Sequence, residues 1–140
     1  VGEPAPDFTG QTPEGETISL SDLRGSPVAV NFWATWCAPC RVEMPALQEA
    51  SVRYADEGLV ILAVNAGESA GAVKSYAEEL GLTFPLILDP DGEIIDLYAV
   101  RFFPTTVWVD AEGRVQAKHL GPLTPDLIDR YVADLTQATP

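Results

Sequence analysis

Three short runs of apolar residues divide the chain and predict buried β-strands. They cover residues 28–33, 59–64 and 84–88, and turn-forming residues lie close to each run. Apolar runs of this length, without polar alternation, are typical of strands that are covered on both faces. We therefore predict a sheet whose central strands are buried between helices.

Between these runs the spacing of apolar residues changes to that of a helix. Residues 38–54 and 69–80 are predicted as helices, and the second ends at Gly81, which suits a helix stop. Pro45 lies inside the first helix, where its missing N–H predicts a kink. The apolar positions that predict the buried face of the first helix are Val42, Leu47, Ala50 and Tyr54.

The remaining segments complete the predicted fold. The pattern indicates an extended surface segment at 2–8, an edge strand at 16–20, a short helix at 93–98, a hairpin of 105–109 and 114–118, and a closing helix at 124–135. This order of elements implies an α/β fold with a mixed central sheet flanked by helices. We predict a single domain that spans residues 1–140.

The charge of the chain excludes two classes of partner. The sequence carries 21 Asp and Glu residues against eight Lys and Arg residues, which gives a formal net charge of −13. Nucleic-acid phosphates and anionic membrane surfaces repel a chain this acidic. We therefore expect no nucleic-acid partner, and we interpret the charge as a solubility feature.

The two cysteines carry the clearest chemical pattern. Cys37 and Cys40 are the only cysteines of the chain, and just two residues separate them. A disulfide across so short a loop removes little entropy from the unfolded chain, so it stabilises the fold very little. Its value therefore lies in being made and broken, and the pair predicts a thiol–disulfide exchanger.

The position of the pair explains how it would react. Cys37 stands where a predicted strand gives way to a helix, and free N–H groups at a helix start favour a thiolate. Cys40 follows one turn later as the resolving thiol, and Pro39 fits the first turn of a helix. A zinc site would need carboxylates, because His119 is the only histidine. A copper(I) site remains open as an alternative, with Met44 as a further soft ligand.

The residues around the cysteines resemble a known family. Residues 31–40, Asn-Phe-Trp-Ala-Thr-Trp-Cys-Ala-Pro-Cys, are similar to the active-site motif of the TlpA/ResA-like thiol–disulfide oxidoreductases of the thioredoxin superfamily. This resemblance implies a thioredoxin fold with an N-terminal β-hairpin and a central strand–helix insertion near residues 66–88. Further matching segments are residues 5–8, 64–68, 84–89 and 103–106.

The same resemblance assigns roles to individual residues. Pro104 matches the cis-proline that faces the active-site disulfide in this family. The docking rim for a client protein is then formed by Trp36, Ala38, Pro39, Phe103 and Pro104. An extended client segment would pair with the backbone edge at Phe103 and Pro104, as in β-strand addition.

Two glutamates are assigned to the active site through this resemblance. Glu43 follows Cys40 by one helical turn, where a glutamate affects cysteine acidity in ResA-like proteins. Glu68 matches a second glutamate of that branch, with a role in tuning cysteine pKa values. Asn31 stands where thioredoxins carry a buried aspartate, and because Asn cannot titrate, we expect Glu43 to supply the missing acid.

The resemblance implies an extracytoplasmic reductase of protein disulfides, with a role in cytochrome c biogenesis. It implies a membrane thiol–electron donor, a monomeric protein and no bound cofactor or metal. The chain begins at Val1 and not at Met, so we expect it to be part of a longer product, with or without a membrane anchor in the precursor. A peroxiredoxin-like thiol peroxidase is the main alternative, but Ala34 stands where that family has threonine.

Overall fold

The computed structural model describes residues 1–137, and the last three residues of the predicted domain lie outside the described residues. The described chain forms seven β-strands and four α-helices. The strands are β1 (Thr9–Gln11), β2 (Thr17–Ser19), β3 (Val28–Trp33), β4 (Val60–Ala66), β5 (Leu86–Asp89), β6 (Thr105–Val109) and β7 (Val115–Leu120). The helices are α1 (Ala38–Arg53), α2 (Ala70–Leu80), α3 (Glu93–Leu97) and α4 (Pro125–Gln137).

All seven strands belong to one mixed sheet, in the order β2-β1-β5-β4-β3-β6-β7. β3 pairs with β4 in parallel and with β6 antiparallel, so β3 lies near the centre of the sheet. β4 also pairs with β5 in parallel, and β6 pairs with β7 as an antiparallel hairpin. The predicted mixed sheet and thioredoxin-like α/β fold are therefore confirmed.

The sheet separates two hydrophobic cores because alternate residues of a strand point to opposite faces. On β3, Ala29 and Trp33 pack into one core together with residues of α1, α2 and α4. Val30 and Phe32 pack into the other core with Ile94, which belongs to α3. Helices thus cover both faces, as predicted, and the two cysteines lie in the first core.

The N-terminal hairpin of β1 and β2 joins the sheet through β5. The predicted edge strand at 16–20 corresponds to β2, which forms one edge of the sheet. β1 is packed so closely that a Cβ atom on Gly10 would lie 2.4 Å from Cγ2 of Ile87. Only glycine fits at this position, so the hairpin depends on Gly10.

The buried face of α1 differs from the predicted one at one position. Val42 was expected on the apolar face but is 74% exposed, so this prediction was wrong. A carboxylic acid, Glu43, occupies the buried stripe in its place. The fully buried residues of this stripe are Cys40, Glu43, Met44 and Leu47, and Ala50 is nearly so. The helix continues through Pro45, which lies on its exposed side.

No helix among residues 1–137 combines the length and the apolar character that a bilayer crossing requires.

Candidate active site

The two cysteines form a disulfide at the start of α1. Cys37 is the N-cap residue of the helix, and the Cys40 N–H donates to its Sγ atom at 3.2 Å. The Cys37 N–H in turn donates to the Ala34 carbonyl at 3.2 Å, which fixes the turn that follows β3. The free backbone N–H groups at a helix start stabilise a negative charge on a sulfur at this position, and the Cys40 N–H is one of these groups.

The two cysteines differ in exposure. Cys37 is 5% exposed and Cys40 is completely buried. Only Cys37 therefore reaches the surface, and it is less accessible than the sequence predicted. This difference suits Cys37 as the attacking sulfur and Cys40 as the resolving sulfur.

Aromatic side chains form part of a rim beside the disulfide. Trp36 is 69% exposed, and its ring packs edge-on against Phe103 with 5.8 Å between centroids. Ala38 and Pro39 are also exposed, as expected for docking residues. Phe102, which precedes Phe103 in the chain, is also exposed, by 63%. No sequence pattern pointed to Phe102, because the matching motif begins one residue later.

The loop before β6 carries the predicted cis-proline. The Phe103–Pro104 peptide bond is cis, and Pro104 is buried. The Pro104 carbonyl accepts a hydrogen bond from the Gly121 N–H at 2.9 Å. The Phe102 carbonyl accepts from the Thr105 hydroxyl at 2.7 Å, which closes the loop on its other side. Both contacts hold the backbone on either side of Phe103.

Glu43 is a fully buried carboxyl group on α1. Its Oε2 accepts from Asn31 Nδ2 at 2.7 Å, and its Oε1 accepts from the Leu123 N–H at 3.0 Å. Burial raises the pKa of Glu43 to about 7, although these two hydrogen bonds act in the opposite direction. The group can therefore gain or lose a proton near neutral pH, and it is not the solvated carboxylate that is the usual fate of Glu.

Asn31 connects Glu43 to the strand beneath it. Its Nδ2 donates to Glu43 and also to Thr106 Oγ1 at 3.0 Å. Within the described residues, the buried Oδ1 of Asn31 has no hydrogen-bond partner. Asn31 thus holds one oxygen of Glu43 without adding a second titrating group.

Glu68 contacts the segment that leads into the disulfide. Its carboxylate accepts from the Thr35 N–H at 2.8 Å, from the Thr35 hydroxyl, and from Asn65 Nδ2 at 2.8 Å. Partial burial opposes ionisation, but these hydrogen bonds outweigh it and lower the pKa of Glu68. Because Thr35 lies two residues before Cys37, Glu68 is bonded to the turn that leads into the disulfide.

Met44 and His119, the side chains considered for metal binding, lie on different elements of the fold. Met44 is fully buried in the core one turn after Cys40. His119 lies on β7, where Nδ1 contacts the Tyr131 hydroxyl at 2.9 Å. Among the described residues there is no group of three or more His, Cys, Asp or Glu side chains that could hold a metal ion.

The role of Leu123 was not apparent from the sequence. Its backbone N–H is a partner of Glu43, although 80 residues separate the two. A backbone donor leaves no trace in the type of residue, so no pattern could have identified this contact. The buried stripe on α1, by contrast, is a pattern in the sequence that could have placed Glu43 inside.

Comparisons with known proteins agree with this geometry. The model of the AhpC/TSA family matches residues 1–118. The thiol-disulfide oxidoreductase ResA of Geobacillus kaustophilus is 41% identical over 135 residues, which are 96% of this chain and 78% of that protein.

Two solved structures are also similar. A thiol:disulfide interchange protein of the thioredoxin family from Chlorobium tepidum has a TM-score of 0.88 and 30% identity, covering 96% of this chain and 97% of its own. The exposed lipoprotein thioredoxin Etrx1 of Streptococcus pneumoniae has a TM-score of 0.80 and 30% identity, covering 93% and 100%. Both structures therefore match this chain over nearly their whole length.

Proposed function

The chain belongs to the AhpC/TSA family and is a ResA-like thiol–disulfide oxidoreductase, and from this premise we propose that it is an extracytoplasmic reductase of protein disulfides. One observation carries the proposal. The Cys37–Cys40 disulfide lies at a helix start, with the buried acid Glu43 one turn further along α1. Trp36, which precedes Cys37, packs against Phe103 of the cis-proline loop. This arrangement combines a reactive sulfur, a resolving sulfur and a proton acceptor.

The reaction begins from the reduced protein. The Cys37 thiolate attacks one sulfur of a client disulfide, forms a mixed disulfide, and releases the other client sulfur as a thiolate. Cys40 then loses its proton and attacks Cys37 Sγ. This second step re-forms the Cys37–Cys40 disulfide and releases the second client thiolate, so the client gains two electrons and the protein loses two.

Glu43 has two effects on these steps. With a pKa of about 7, it can accept the Cys40 proton at the pH where exchange occurs. Once ionised, its negative charge disfavours a nearby thiolate and therefore disfavours the reduced state. A less stable reduced state donates electrons more readily, which supports the direction of a reductase.

The client binds at the rim formed by Trp36, Ala38, Pro39, Phe103 and Pro104. The exposed rings of Trp36 and Phe102 offer apolar contact, and the backbone at Phe103 offers hydrogen bonds to an extended segment. We propose that this binding is transient and that the reductase is a monomer.

The relatives support a location and a class of clients. The pneumococcal relative is described as an exposed lipoprotein, which supports an extracytoplasmic site for this chain. The ResA-like relationship supports apocytochrome c cysteines as clients and a membrane thiol carrier as the source of electrons. In this scheme the carrier reduces the Cys37–Cys40 disulfide after each turnover.

A redox titration and a trapping experiment test this proposal. The Cys37–Cys40 couple should titrate near the potential of thioredoxin, about −270 mV, whereas a value near −120 mV would indicate an oxidase. Cys40→Ser should accumulate a mixed disulfide between Cys37 and its client. Cys37→Ser is the matched control and should trap no client. Equal trapping by the two variants would contradict the assigned order of attack.

A thiol peroxidase is the second function to test, because the AhpC/TSA family model matches most of the chain. Ala34 argues against it, because it stands where the peroxiredoxin-like peroxidases have threonine. We expect the reduced protein to consume hydrogen peroxide no faster than free dithiothreitol. Turnover above this background, lost in Cys37→Ser, would establish the peroxidase instead.

A further inference from the structure

Three consecutive residues after β7 each make a hydrogen bond, two of them to the active site and one to a histidine. The Gly121 N–H donates to the Pro104 carbonyl at 2.9 Å, and the Leu123 N–H donates to Glu43 at 3.0 Å. Between them, the Pro122 carbonyl contacts His119 Nε2 at 3.3 Å. The segment Gly121–Leu123, here called the connecting segment, therefore joins the cis-proline loop, a histidine and the buried acid.

One peptide group carries two of these contacts. The Pro122 carbonyl and the Leu123 N–H belong to the same peptide bond, so His119 and Glu43 bind its opposite ends. A carbonyl can only accept, so His119 Nε2 must carry the hydrogen. The other ring nitrogen, Nδ1, contacts the Tyr131 hydroxyl at 2.9 Å, and a hydroxyl can either donate or accept.

We propose that His119 is a positioning residue for thiol–disulfide exchange, acting on Glu43 through the Pro122–Leu123 peptide group. This role rests on the function proposed for Glu43 above. His119 does not touch the sulfurs in this scheme. It orients and polarises the peptide group whose N–H holds one oxygen of the acid.

The physical reason is the polarisation of the peptide group. A hydrogen bond to a carbonyl draws electron density toward its oxygen and makes the attached N–H a stronger donor. A stronger donor at Leu123 favours the ionised form of Glu43. Loss of the His119 contact should therefore weaken the Leu123 hydrogen bond and make Glu43 hold its proton to higher pH.

Tyrosine side chains lie near both His119 and Glu43. Tyr131 of α4 packs edge-on against the His119 ring, with 5.6 Å between centroids. On the side of α2, burial raises the pKa of Tyr76, and the nearby Glu43 charge adds a smaller effect in the same direction. A neutral ring at position 119 would preserve the packing against Tyr131 while removing the N–H donor. His119→Phe is therefore the variant that isolates the hydrogen bond.

The experiment follows the carboxyl carbon of Glu43 by NMR in the oxidised protein, where the disulfide prevents the cysteines from titrating. His119→Phe should raise the titration midpoint of Glu43 by about half a unit to one unit. The Leu123 amide proton should shift upfield at the same time, because its hydrogen bond is weaker. His119→Gln retains a donor and should recover most of both changes. Tyr131→Phe removes only the Nδ1 partner and should move the midpoint much less.

The outcomes separate the two proposals. The pH profile of Cys37 alkylation in the reduced protein is recorded for parent, His119→Phe and Glu43→Gln. If Glu43→Gln alters the profile and His119→Phe leaves both the profile and the Glu43 midpoint unchanged, His119 is only a packing residue. If Glu43→Gln leaves the profile unchanged, the role of Glu43 fails, and that of His119 fails with it. A Glu43 midpoint that is equally shifted in His119→Phe and His119→Gln would also overturn the proposal.

Discussion

Replacement of Glu43 by Gln tests whether the buried carboxyl group makes the folding stability depend on pH. Burial raises its pKa from 4.5 to about 7 in the folded protein, so between these values the folded chain keeps a proton that the unfolded chain has lost. The stability contributed by this group is fully present below pH 4.5 and is lost as the pH rises through about 7. Gln is neutral throughout, so Glu43→Gln should remove this loss.

The magnitude follows from the separation of the two pKa values. They differ by about 2.5 units, and each unit corresponds to about 1.4 kcal/mol. At each pH we compare the free energies of unfolding of Glu43→Gln and of the parent, and we take their difference at pH 4 as the reference. This difference should shift in favour of Glu43→Gln by about 1.4 kcal/mol at pH 5.5 and by about 3 kcal/mol at pH 7. Asn31 can accommodate the change, since rotation of its amide would offer the unpartnered Oδ1 to the new N–H₂ group.

Urea unfolding of the oxidised protein between pH 4 and 8 provides the measurement. The disulfide must stay intact so that Cys37 and Cys40 do not contribute to the pH dependence. Glu49→Gln is the matched control, because Glu49 lies on the same helix with 69% of its side chain exposed. Its curve should run parallel to that of the parent. Parallel curves for Glu43→Gln and the parent would refute the reasoning about the buried acid.

Three further predictions concern the neighbours of the disulfide. Glu68→Gln should lower the free energy of unfolding by about 1–2 kcal/mol at pH 7, because its hydrogen bonds to Thr35 are weaker. Since the pKa of Glu68 is lowered in the folded protein, the difference in free energy of unfolding between this variant and the parent should become smaller in urea titrations below pH 4.5. Asn31→Asp places a second carboxyl beside Glu43, so NMR titration should show two coupled steps, the higher at least about one unit above that of the parent; a single unshifted step would contradict this. Trp36→Ala should lower kcat/KM for a disulfide-bonded client peptide about two- to tenfold with an unchanged redox potential, and unchanged kcat/KM would exclude Trp36 from the docking rim.

Most of the fold could be predicted because the central strands and the helices follow local patterns of apolar and polar residues in the sequence. The apolar runs predicted β3 with its observed bounds, and they predicted the bounds of β4 and β5 to within two residues at each end. β1 was not predicted as a strand, because its three residues include Gly10 and show no alternation of apolar and polar positions. Its strand structure comes from pairing with β2 and with β5, and β5 is distant in the sequence.

The active site was predictable only where residue types carry the chemistry. The motif around Cys37 and Cys40, together with the family resemblance, identified the redox pair and the cis bond at Pro104. On α1, Leu47 and Ala50 are buried as predicted, but Val42 is exposed and Glu43 is buried. A hydrophobicity scale predicts that valine is buried and that glutamate is exposed, so it predicts the burial of both residues wrongly.

The central position of β3 has a consequence for motion at the active site. All six residues of β3 are buried, and both of its edges are paired with other strands. Exposing the amides of such a strand to solvent requires an opening close to global unfolding, so its amide hydrogens should exchange among the slowest of the chain. Cys37 follows this strand by only four residues and is therefore anchored to the stiffest part of the molecule. Because the sulfur of Cys37 is held in place, the client has to adapt its shape to it. We therefore expect this protein to prefer disulfides in flexible segments of its clients, in addition to any preference for their sequence.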